Sequence, residues 1–356
     1  MNKECIEKIL EAAVRAPSGD NVQPWDIKVS ENFAQIDVYN LPEKDESLYN
    51  DQQIASFIAH GALLENILIA AKHLGCHARY QLFPEPDNAQ HVVTIQLSKA
   101  TPEPDPYYDA IFRRQTNRFP YRKVKISEQT LQALQQTVAK IDGAKVSLVT
   151  EQDTIEQLAD ILKVNDRIVF ENKKIHQFLF DKIRWNKQQI EQTQDGMPVD
   201  ALGLSFMEKL FFPLLRFWGY VSVANVFGLS KIIELKCWWQ CRQASLLGML
   251  AIKGTDKAAF VEGGRAVQRL WLEVTVQGLS MQPIIGLTLL IGQLRQGRLN
   301  ALSEKHQLFI QQANEKLPEL FGLDTEDTLV MGFRAGIGER GGGTLRKEVF
   351  LNKDYY

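Results

Sequence analysis

The segment 61–75 reads GALLENILIAAKHLG, and it can be laid without a gap over segment 264–278, GRAVQRLWLEVTVQG. In both segments apolar residues cover most of the surface of the helix they would form, which is typical of a helix buried in a core or at an interface. Each segment ends at a glycine, a residue that commonly follows the last turn of a helix. The pairing predicts two long buried helices in corresponding places, and therefore a chain with two similar halves.

A second pairing supports the same division. Apolar residues recur at helical spacing from Ile6 to Ala13, and segment 126–138, ISEQTLQALQQTV, has a similar pattern. Trp25–Val29 alternates as a half-buried strand does, and segment 145–149 corresponds to it. A helix followed by a strand is thus expected at the start of each half.

A polar turn separates the first helix from the first strand. Residues 16–25 read APSGDNVQPW, and Pro17 ends the helix near Arg15. Small hydrogen-bonding residues at such a place are typical of a solvent-facing connection, but they also suit a turn that grips a ligand. Turn chemistry alone leaves both interpretations open.

A basic stretch, FRRQTNRFPY, occupies residues 112–121. Arg114, Thr116 and Arg118 could together bind an anion such as a phosphate, because guanidinium and hydroxyl groups are strong donors to it. If Arg114 and Arg118 open a helix, they lie at i and i+4 beside its positive end. A solvated basic turn is the alternative, and Arg113 could replace Arg114 in a register shifted by one residue.

Two glycine-containing stretches follow in the second half. Residues 278–286, GLSMQPIIG, end at Gly286, where a backbone N–H could approach a ligand closely because no Cβ intervenes. A strand is expected at 328–333, followed by Arg334, Arg340 and Arg346. Residues 336–341 match a Gly-x-Gly-x-x-Gly dinucleotide fingerprint, but only fifteen residues remain after Gly341, too few for the rest of that unit.

These stretches resemble segments of the FMN-dependent nitroreductase family. Residues 16–25 resemble its Ala-Pro-Ser-x-x-Asn-x-Gln-Pro-Trp loop, which lies against the flavin ring. Residues 112–121 resemble its Arg-x-Ser/Thr-x-Arg opening, and residues 278–286 resemble its Gly-Leu…Pro-Ile-x-Gly stretch near flavin N5. Family members are homodimers with flavin at the subunit interface, whereas here each half carries one side of that interface. The chain is therefore most similar to the Acg group of single-chain pseudo-dimers.

The resemblance implies an α+β fold of two tandem nitroreductase-like halves, residues 1–105 and 106–356, packed as an intramolecular dimer around one FMN. The positions it assigns to the cofactor are Pro17, Ser18, Gly19, Asn21 and Gln23, then Arg114, Thr116, Asn117 and Arg118, then Pro283, Ile284, Ile285 and Gly286, and finally Arg340 and Arg346. Ile285 stands where many relatives carry Glu, so one carboxylate of the family is missing.

The resemblance also implies an oxidoreductase in which NADH or NADPH reduces the flavin at N5 and the flavin passes two electrons to a quinone, nitro or other small electrophilic acceptor. Because the flavin supplies the chemistry, no catalytic side chain is assigned. The alternative is a non-catalytic protein that binds or sequesters FMN, an interpretation favoured by Ile285 and by the similarity to Acg proteins.

The composition of the chain limits the classes of binding partner that are expected. The 356 residues carry a formal net charge of −2, which gives no field that would attract nucleic acid, so small-molecule partners are expected. Charged residues near the N-terminus exclude a signal-peptide pattern there, and a cytoplasmic location is expected. The four cysteines have no metal-site spacing with His, so buried or semi-buried thiols and no metal are expected.

The segment at about 165–245 matches neither half. Within it, residues 210–229 are long and apolar enough to raise the question of a membrane helix. Pro213, Arg216, Gly219 and Asn225 interrupt the stretch, so a membrane span is not expected. The expectation is a lid over the flavin or a packing element, with self-association also possible.

Overall fold

A computed structural model describes residues 2–338 of the chain. The described part combines helices with two larger antiparallel sheets and one short parallel pair of strands, as expected for an α+β protein. Its helices are α1 Lys3–Ala13, α2 Ile54–His73, α3 Pro106–Arg113, α4 Glu128–Val138, α5 Gln152–Leu162, α6 Val164–Glu171, α7 Lys173–Asp181, α8 Lys187–Thr193, α9 Phe206–Phe211, α10 Trp218–Val226, α11 Leu229–Arg242, α12 Lys257–Val276, α13 Gly286–Arg295 and α14 Glu304–Phe321. Its strands are β1 Trp25–Val29, β2 Gln35–Asn40, β3 Cys76–Leu82, β4 His91–Lys99, β5 Tyr121–Arg122, β6 Ala144–Val149, β7 Ile183–Arg184, β8 Met197–Pro198, β9 Leu246–Ile252, β10 Ser280–Ile284 and β11 Thr328–Gly338.

Two antiparallel sheets have the same strand order when their strands are matched along the chain. The first sheet runs β1-β2-β4-β3. The second contains β6-β9-β11-β10, with β5 added at one end of β11. In each, the first two strands pair, a long helix follows, and the last two strands pair: α2 stands before β3 and α12 before β10.

The two long helices pack against each other in the centre of the molecule. At their crossing the backbones come so close that a Cβ on Gly61 would lie 1.9 Å from the carbonyl oxygen of Val261, and one on Gly264 would lie 2.0 Å from that of Ile58. Both helices are followed by a glycine with positive φ, Gly75 at 78° and Gly278 at 72°. The predicted buried helices and their glycine ends are confirmed.

Polar side chains are also buried where α2 meets α12. Glu65 is 1% exposed and accepts hydrogen bonds from Arg265 at 2.9 Å and from Arg269 at 2.6 Å. Asn66 accepts a hydrogen bond from Gln268 at 2.7 Å and donates one to the carbonyl oxygen of Ala12 at 2.9 Å. These pairs fix how one helix lies along the other, because a shifted register would leave buried polar groups without partners.

Within the described residues, one helical segment, Asp51–His73, is long and apolar enough to cross a membrane. Its most apolar window is 94% buried inside the protein, against α12 and the first sheet. The segment is therefore a core helix here.

The segment that matched neither half lies between β6 and β9. In the first sheet the equivalent strands β1 and β2 are joined by residues 30–34, whereas residues 150–245 join β6 to β9 and contain α5 to α11. The apolar run at 210–229 is broken into α9, a 3₁₀ segment at Phe212–Arg216 and α10. We call residues 165–245 the insertion, with the bounds predicted from sequence.

Most of the locally predicted elements are found. β1, α4 and β6 lie where the patterns placed them, and α1 ends at Ala13, two residues before the predicted Arg15. The helix suggested for Arg114 to Arg118 is wrong: α3 ends at Arg113, and Arg114 has extended backbone with ψ of 128°. The prediction failed because the helical pattern belongs to the residues before the arginines and not to those after them.

Candidate functional site

The loop after α1 has an unusual backbone. Asp20, Asn21 and Gln23 have positive φ angles of 44°, 58° and 52°. Such angles are tolerated by Asp and Asn but are unfavourable for Gln, and they tend to occur at functional sites. Ser18 Oγ accepts a hydrogen bond from the backbone N–H of Gln23 at 3.0 Å, which closes the turn.

The two amide side chains of this loop point to the insertion. Asn21 donates to the carbonyl oxygen of Gly196 at 3.1 Å, and Gln23 donates to that of Gln194 at 2.9 Å. The N–H of Gly196 in turn donates to the carbonyl oxygen of Asn21 at 3.2 Å. Asn21 and Gln23 are 5% and 2% exposed, so the insertion closes over this side of the loop.

Arg114 lies behind the loop. Its guanidinium donates to the carbonyl oxygen of Arg15 at 2.8 Å and stands 4.5 Å from the centre of the Trp271 ring. Arg114 is 6% exposed and lies at the C-terminal end of α3. Its position suits a group that holds the start of the loop; a direct contact with phosphate stays a prediction.

Thr116, Asn117 and Arg118 run beside β10. Thr116 forms an isolated bridge with Met281, and the N–H of Asn117 donates to the carbonyl oxygen of Met281 at 3.0 Å. Arg118 turns to the insertion, where Nη1 donates to the carbonyl oxygen of Ala201 at 3.3 Å. The insertion therefore contacts predicted site residues from both halves.

The third predicted stretch forms the end of β10 and the start of α13. Pro283 and Ile284 pair with β11, and Gly286 is the first residue of α13. A Cβ on Gly286 would lie 2.3 Å from Asn165 Oδ1, an atom that also accepts a hydrogen bond from Tyr49 Oη at 3.1 Å. Glycine is thus required here for close approach, and Ile285 leaves no acidic side chain beside it.

Arg334 belongs to the same region; the sequence named it beside Arg340 and Arg346 after the last strand, but only those two were assigned to the cofactor. It lies inside β11, is 1% exposed, and donates to Gln282 Oε1 at 2.7 Å and to the carbonyl oxygen of Phe119 at 3.0 Å. Its guanidinium carbon stands 4.1 Å from the centre of the Tyr121 ring. Among residues 2–338, its buried Nη1 has no hydrogen-bond partner. The sequence placed Arg334 directly after a strand predicted at 328–333, and only the strand pairing shows that it lies within the strand and is buried.

Two acids face these arginines. Burial, together with the charge of Asp45, raises the pKa of Asp20 to about 6, although Arg118 and Lys182 oppose the rise. Burial also raises the pKa of Asp166, while Asn165, Cys237, Lys236 and Arg334 act to lower it. Burial lowers the pKa of Arg118, and the carboxylate of Asp20 opposes this. Burial is the largest cause of the pKa shift in all three groups.

The remaining predicted contacts, Arg340 and Arg346, lie outside the described residues. Among the residues that are described, no group of three or more His, Cys, Asp or Glu side chains is arranged to hold a metal ion.

Comparison with known proteins gives sequence relatives at low identity. No family model matches the chain. "Uncharacterized protein MT1398" of Mycobacterium tuberculosis is 25% identical over 282 residues, which are 78% of this chain and 38% of that protein. "Putative NAD(P)H nitroreductase acg" of Mycobacterium tuberculosis is 25% identical over 204 residues, 56% of this chain and 58% of that protein. The chain thus spans well under two thirds of the length of either relative.

Solved structures align more weakly. The FMN-dependent nitroreductase NfnB from Mycobacterium smegmatis, in complex with NADPH, aligns with a TM-score of 0.35 and 14% identity, over 66% of this chain and 88% of that one. An iodotyrosine deiodinase bound to FMN and 3-iodo-L-tyrosine aligns with a TM-score of 0.38 and 12% identity, over 69% and 98%. TM-scores below 0.5 do not by themselves establish the fold.

Two of the sequence relatives are named putative NAD(P)H nitroreductases, the family that the three motifs resemble. The chain is similar to the nitroreductase superfamily. Within that superfamily its similarity is to the Acg type.

Proposed function

We propose that the chain is an FMN-binding oxidoreductase of the nitroreductase type, which uses NADH or NADPH to reduce a quinone, nitro or other small electrophilic acceptor. The observation that carries the proposal is that Asn21 and Gln23 of the loop at 17–23 and Arg118 donate hydrogen bonds to the same stretch of the insertion, residues 194–203. The loop comes from the first half, and Arg118 comes from the second. A site shared between halves is what a single-chain pseudo-dimer requires.

The matching strand orders support the same organisation. We infer that residues 1–105 and 106–356 are equivalent halves, because both sheets follow one order and α2 packs on α12 as two equivalent helices at a dimer interface would. Each half would then contribute the part of the site that the other lacks. The insertion would be an addition to the second half.

The buried arginines fit the phosphate of FMN. Arg334 carries a buried Nη1 without a partner among residues 2–338, and Arg118 is held mainly by a carbonyl oxygen and a thioether sulfur, Met197 Sδ. A phosphate near them would supply acceptors that the described protein atoms do not. In this proposal Arg118 and Arg334 bind the phosphate with Thr116, and Arg114, Asn117, Arg340 and Arg346 remain further candidates.

The residues assigned to the flavin ring form two groups, the polar loop at 17–23 and the stretch 283–286 that ends at a glycine. FMN, when bound, accepts hydride at N5 and passes two electrons on to an acceptor. Ser18, Asn21 and Gln23 would orient the ring through hydrogen bonds, with Pro17 and Gly19 shaping the turn. The N–H of Gly286 would approach the ring beside Pro283, Ile284 and Ile285, since no Cβ stands in the way. No side chain in this set needs to move a proton.

The insertion would act as a lid over this site. Its residues at 194–203 now accept hydrogen bonds from Asn21, Gln23 and Arg118, the same groups that we assign to FMN. Asn165 and Tyr49 cover Gly286 in the same way. Cofactor and insertion would therefore compete for the same donors, so binding of FMN should loosen the insertion.

That coverage also favours a second candidate, a protein that holds FMN without turnover. Ile285 removes a carboxylate, and the covered Gly286 leaves little access for a nicotinamide. Stopped-flow spectroscopy under anaerobic conditions separates the two functions. If the protein is an oxidoreductase, the flavin absorbance should be lost within one turnover after NADH or NADPH is added. If it only stores FMN, the absorbance should persist with both nucleotides and be lost only when dithionite is added.

Binding stoichiometry tests the shared site. The chain should bind one FMN, because each half supplies only one side of the site. Titration monitored by flavin fluorescence should therefore end at one equivalent. Two equivalents would mean that each half is complete, and the pseudo-dimer arrangement would be abandoned.

Arg334→Gln tests the phosphate contact. A charge-assisted hydrogen bond contributes about 1.5–3 kcal/mol, so FMN affinity should fall roughly ten- to a hundred-fold. Riboflavin affinity should hardly change, because riboflavin has no phosphate. Arg114→Gln is the matched comparison and should weaken both ligands alike if Arg114 only supports the loop. Equal losses of both ligands in Arg334→Gln would remove Arg334 from the phosphate site.

The double variant Ser18→Ala with Asn21→Ala tests the ring contact. If these side chains touch the flavin, its absorption spectrum and reduction potential should shift while the protein still binds it. Far-ultraviolet circular dichroism serves as the folding control. An unchanged spectrum, potential and affinity would mean that the loop is only a surface turn.

A further inference from the structure

Exposed apolar side chains are concentrated in one part of the insertion. In the described part of the chain, 16 large apolar residues are exposed, and 13 of these lie between Phe206 and Trp239. Globular proteins scatter such residues singly, whereas a contiguous exposed apolar surface marks a site of interaction. We call the exposed apolar side chains of 206–239 the insertion face.

The insertion face is one side of a packed layer. α9, the 3₁₀ segment Phe212–Arg216, α10 and α11 contact one another in sequence, and α10 and α11 also contact α6. Val221, Ser230 and Cys241 point inward and are buried. The exposure is therefore a property of a folded, two-sided layer, not of an unpacked segment.

Several side chains of the insertion face project well beyond the surface. Phe206 and Phe227 are each 83% exposed and Val226 is 81% exposed. Val226 and Phe227 stand at the turn between α10 and α11, where Gly228 has a φ of 92°. Aromatic and aliphatic side chains that project from the surface in this way can insert into a fluid apolar environment.

The exposed charges of the insertion face are positive. Residues 205–243 contain five basic and two acidic residues, although the whole chain has a net charge of −2. Both acids are paired, with Lys236 and Arg167, and the basic residues Lys209 and Arg242 are paired with Asp200 and Glu156 outside the segment. The exposed charged side chains that remain in this segment are Arg216 and Lys231, both cations. An anionic surface would be complementary to this arrangement.

We propose that the insertion face docks on a lipid bilayer that contains anionic headgroups. Short helices with apolar and aromatic side chains on one side, flanked by Lys and Arg, lie in the interfacial region of a membrane. The apolar side chains would enter the acyl boundary while Arg216 and Lys231 meet the headgroups. Pro213, Gly219 and Gly228 break the apolar run, so the segment lies on the bilayer and does not cross it.

A second copy of the chain fits the insertion face less well. A two-fold dimer places the same surface on both partners, so an interface built on the insertion face would enclose Arg216 and Lys231 of both copies, four cations in all. Like charges brought together in this way oppose association. The projecting tips would also need matching hollows on the very surface that carries them.

Vesicle flotation with the whole chain tests the proposal. The protein should float with vesicles of phosphatidylcholine mixed with phosphatidylglycerol and should remain below with vesicles of phosphatidylcholine alone. Raising the salt concentration should weaken binding, because headgroup attraction is screened. Failure to float with the anionic vesicles at low salt would overturn the proposal.

Two variants separate the apolar and the ionic contributions. Phe206→Ser with Phe227→Ser should weaken vesicle binding by about a hundred-fold or more, since each buried Phe contributes roughly ten-fold or more. Arg216→Glu with Lys231→Glu should weaken it by at least about twenty-fold, given about five-fold for each basic residue lost. Leu308→Ser is the control, because Leu308 is 53% exposed but lies on α14, outside the insertion face. Vesicle binding of this variant should equal that of the parent chain.

Light scattering coupled to size-exclusion chromatography tests whether a second copy of the chain covers the insertion face instead. We expect the same mass for the parent chain and for the Phe206→Ser, Phe227→Ser variant. A dimer that this variant dissociates, in a protein that does not float with anionic vesicles, would assign the insertion face to self-association and overturn membrane docking. Unfolding midpoints of all variants should match the parent, which excludes misfolding as the cause of lost binding.

Discussion

Two strongly apolar stretches of this chain differ in burial, since one lies in the core and the other lies on the surface. The segment Asp51–His73 is 94% buried across its most apolar window and forms the centre of the molecule. The stretch at 210–229 lies on the surface, with Phe217 63% exposed and Phe227 83% exposed. Both raise the question of a membrane from composition alone. What separates them is whether another element of the chain covers them.

The cover on the first stretch is specific. α12 approaches α2 at Gly61 and Gly264 without any Cβ between the backbones, and Arg265 and Arg269 meet Glu65. The second stretch packs on one side only, against neighbouring helices of the insertion. Apolar composition thus predicts a need for an apolar partner but does not identify that partner.

The largest expected effect is at the charged centre of the helix pair. Glu65→Ala should lower the free energy of unfolding by about 3–5 kcal/mol, because it leaves two arginines facing a space without their carboxylate. Chemical denaturation measures the change. Glu7→Ala, which removes an exposed carboxylate paired with Lys3 on α1, should cost about 0.5 kcal/mol or less. Similar losses in the two variants would mean that the α2–α12 contact is not the stable centre we describe.

Gly264→Ala tests the close approach itself. The added methyl group would meet the carbonyl oxygen of Ile58 at 2.0 Å, and backbone must move to admit it. We expect a loss of about 3 kcal/mol in the free energy of unfolding. Gly219→Ala in α10 is the matched control, since nothing lies within 4 Å of its Cβ position. It should be neutral or stabilise by up to about 1 kcal/mol, because Ala favours helices over Gly.

Glu171 anchors the insertion to the rest of the second half. Burial raises its pKa, but hydrogen bonds from Lys305, His306, Arg167 and Ser230 outweigh this and lower the pKa to about 2 from 4.5. The folded value lies below the unfolded one, so the stabilisation is present above about pH 4.5 and is lost as the pH falls through about 2.

Glu171→Gln should therefore lower the free energy of unfolding by up to about 3 kcal/mol at neutral pH. The stability curves of variant and parent should converge in acid, and denaturation series between neutral pH and pH 2 measure this. A constant difference at every pH would show that the contribution of Glu171 does not come from its charge.

The smallest effect is expected on the insertion face. Val226→Ser should change the free energy of unfolding by about 0.5 kcal/mol or less, because Val226 is 81% exposed in the folded chain. Ile67→Ser, at a fully buried position of α2, should cost about 3 kcal/mol or more. If Val226→Ser proves strongly destabilising, the face is covered in solution and the contrast between the two stretches disappears.

Local structure was largely predictable from the sequence. Helical spacing located α1 and α4, alternation located β1, and glycine marked the ends of α2 and α12, because each of these signals lies within a few residues of its effect. The candidate site was less predictable. The helix suggested for Arg114 to Arg118 was wrong, because the helical pattern lies in the residues before them. The partners of Arg114, the Arg15 carbonyl oxygen and Trp271, are distant in sequence and are not encoded by spacing.

Arg334 illustrates the remaining gap. The sequence presented it as one of several arginines near a strand, and its place inside β11 became clear only from the pairing of β11 with β9 and β10. That pairing buries the side chain beside Gln282 and Tyr121. Strand neighbours far apart in the chain decide which charges are enclosed.

By itself the sequence determined the first helix and strand of each half, the two matching buried helices and the polar motifs, because periodicity, turn residues and backbone preferences act locally. The tertiary structure decided the rest. It placed the insertion between β6 and β9 and against the loop at 17–23, brought Arg114 to the carbonyl oxygen of Arg15, and left the insertion face exposed while α12 covered α2. Burial depends on a partner surface, and which distant segments become partners is settled only when the whole chain packs.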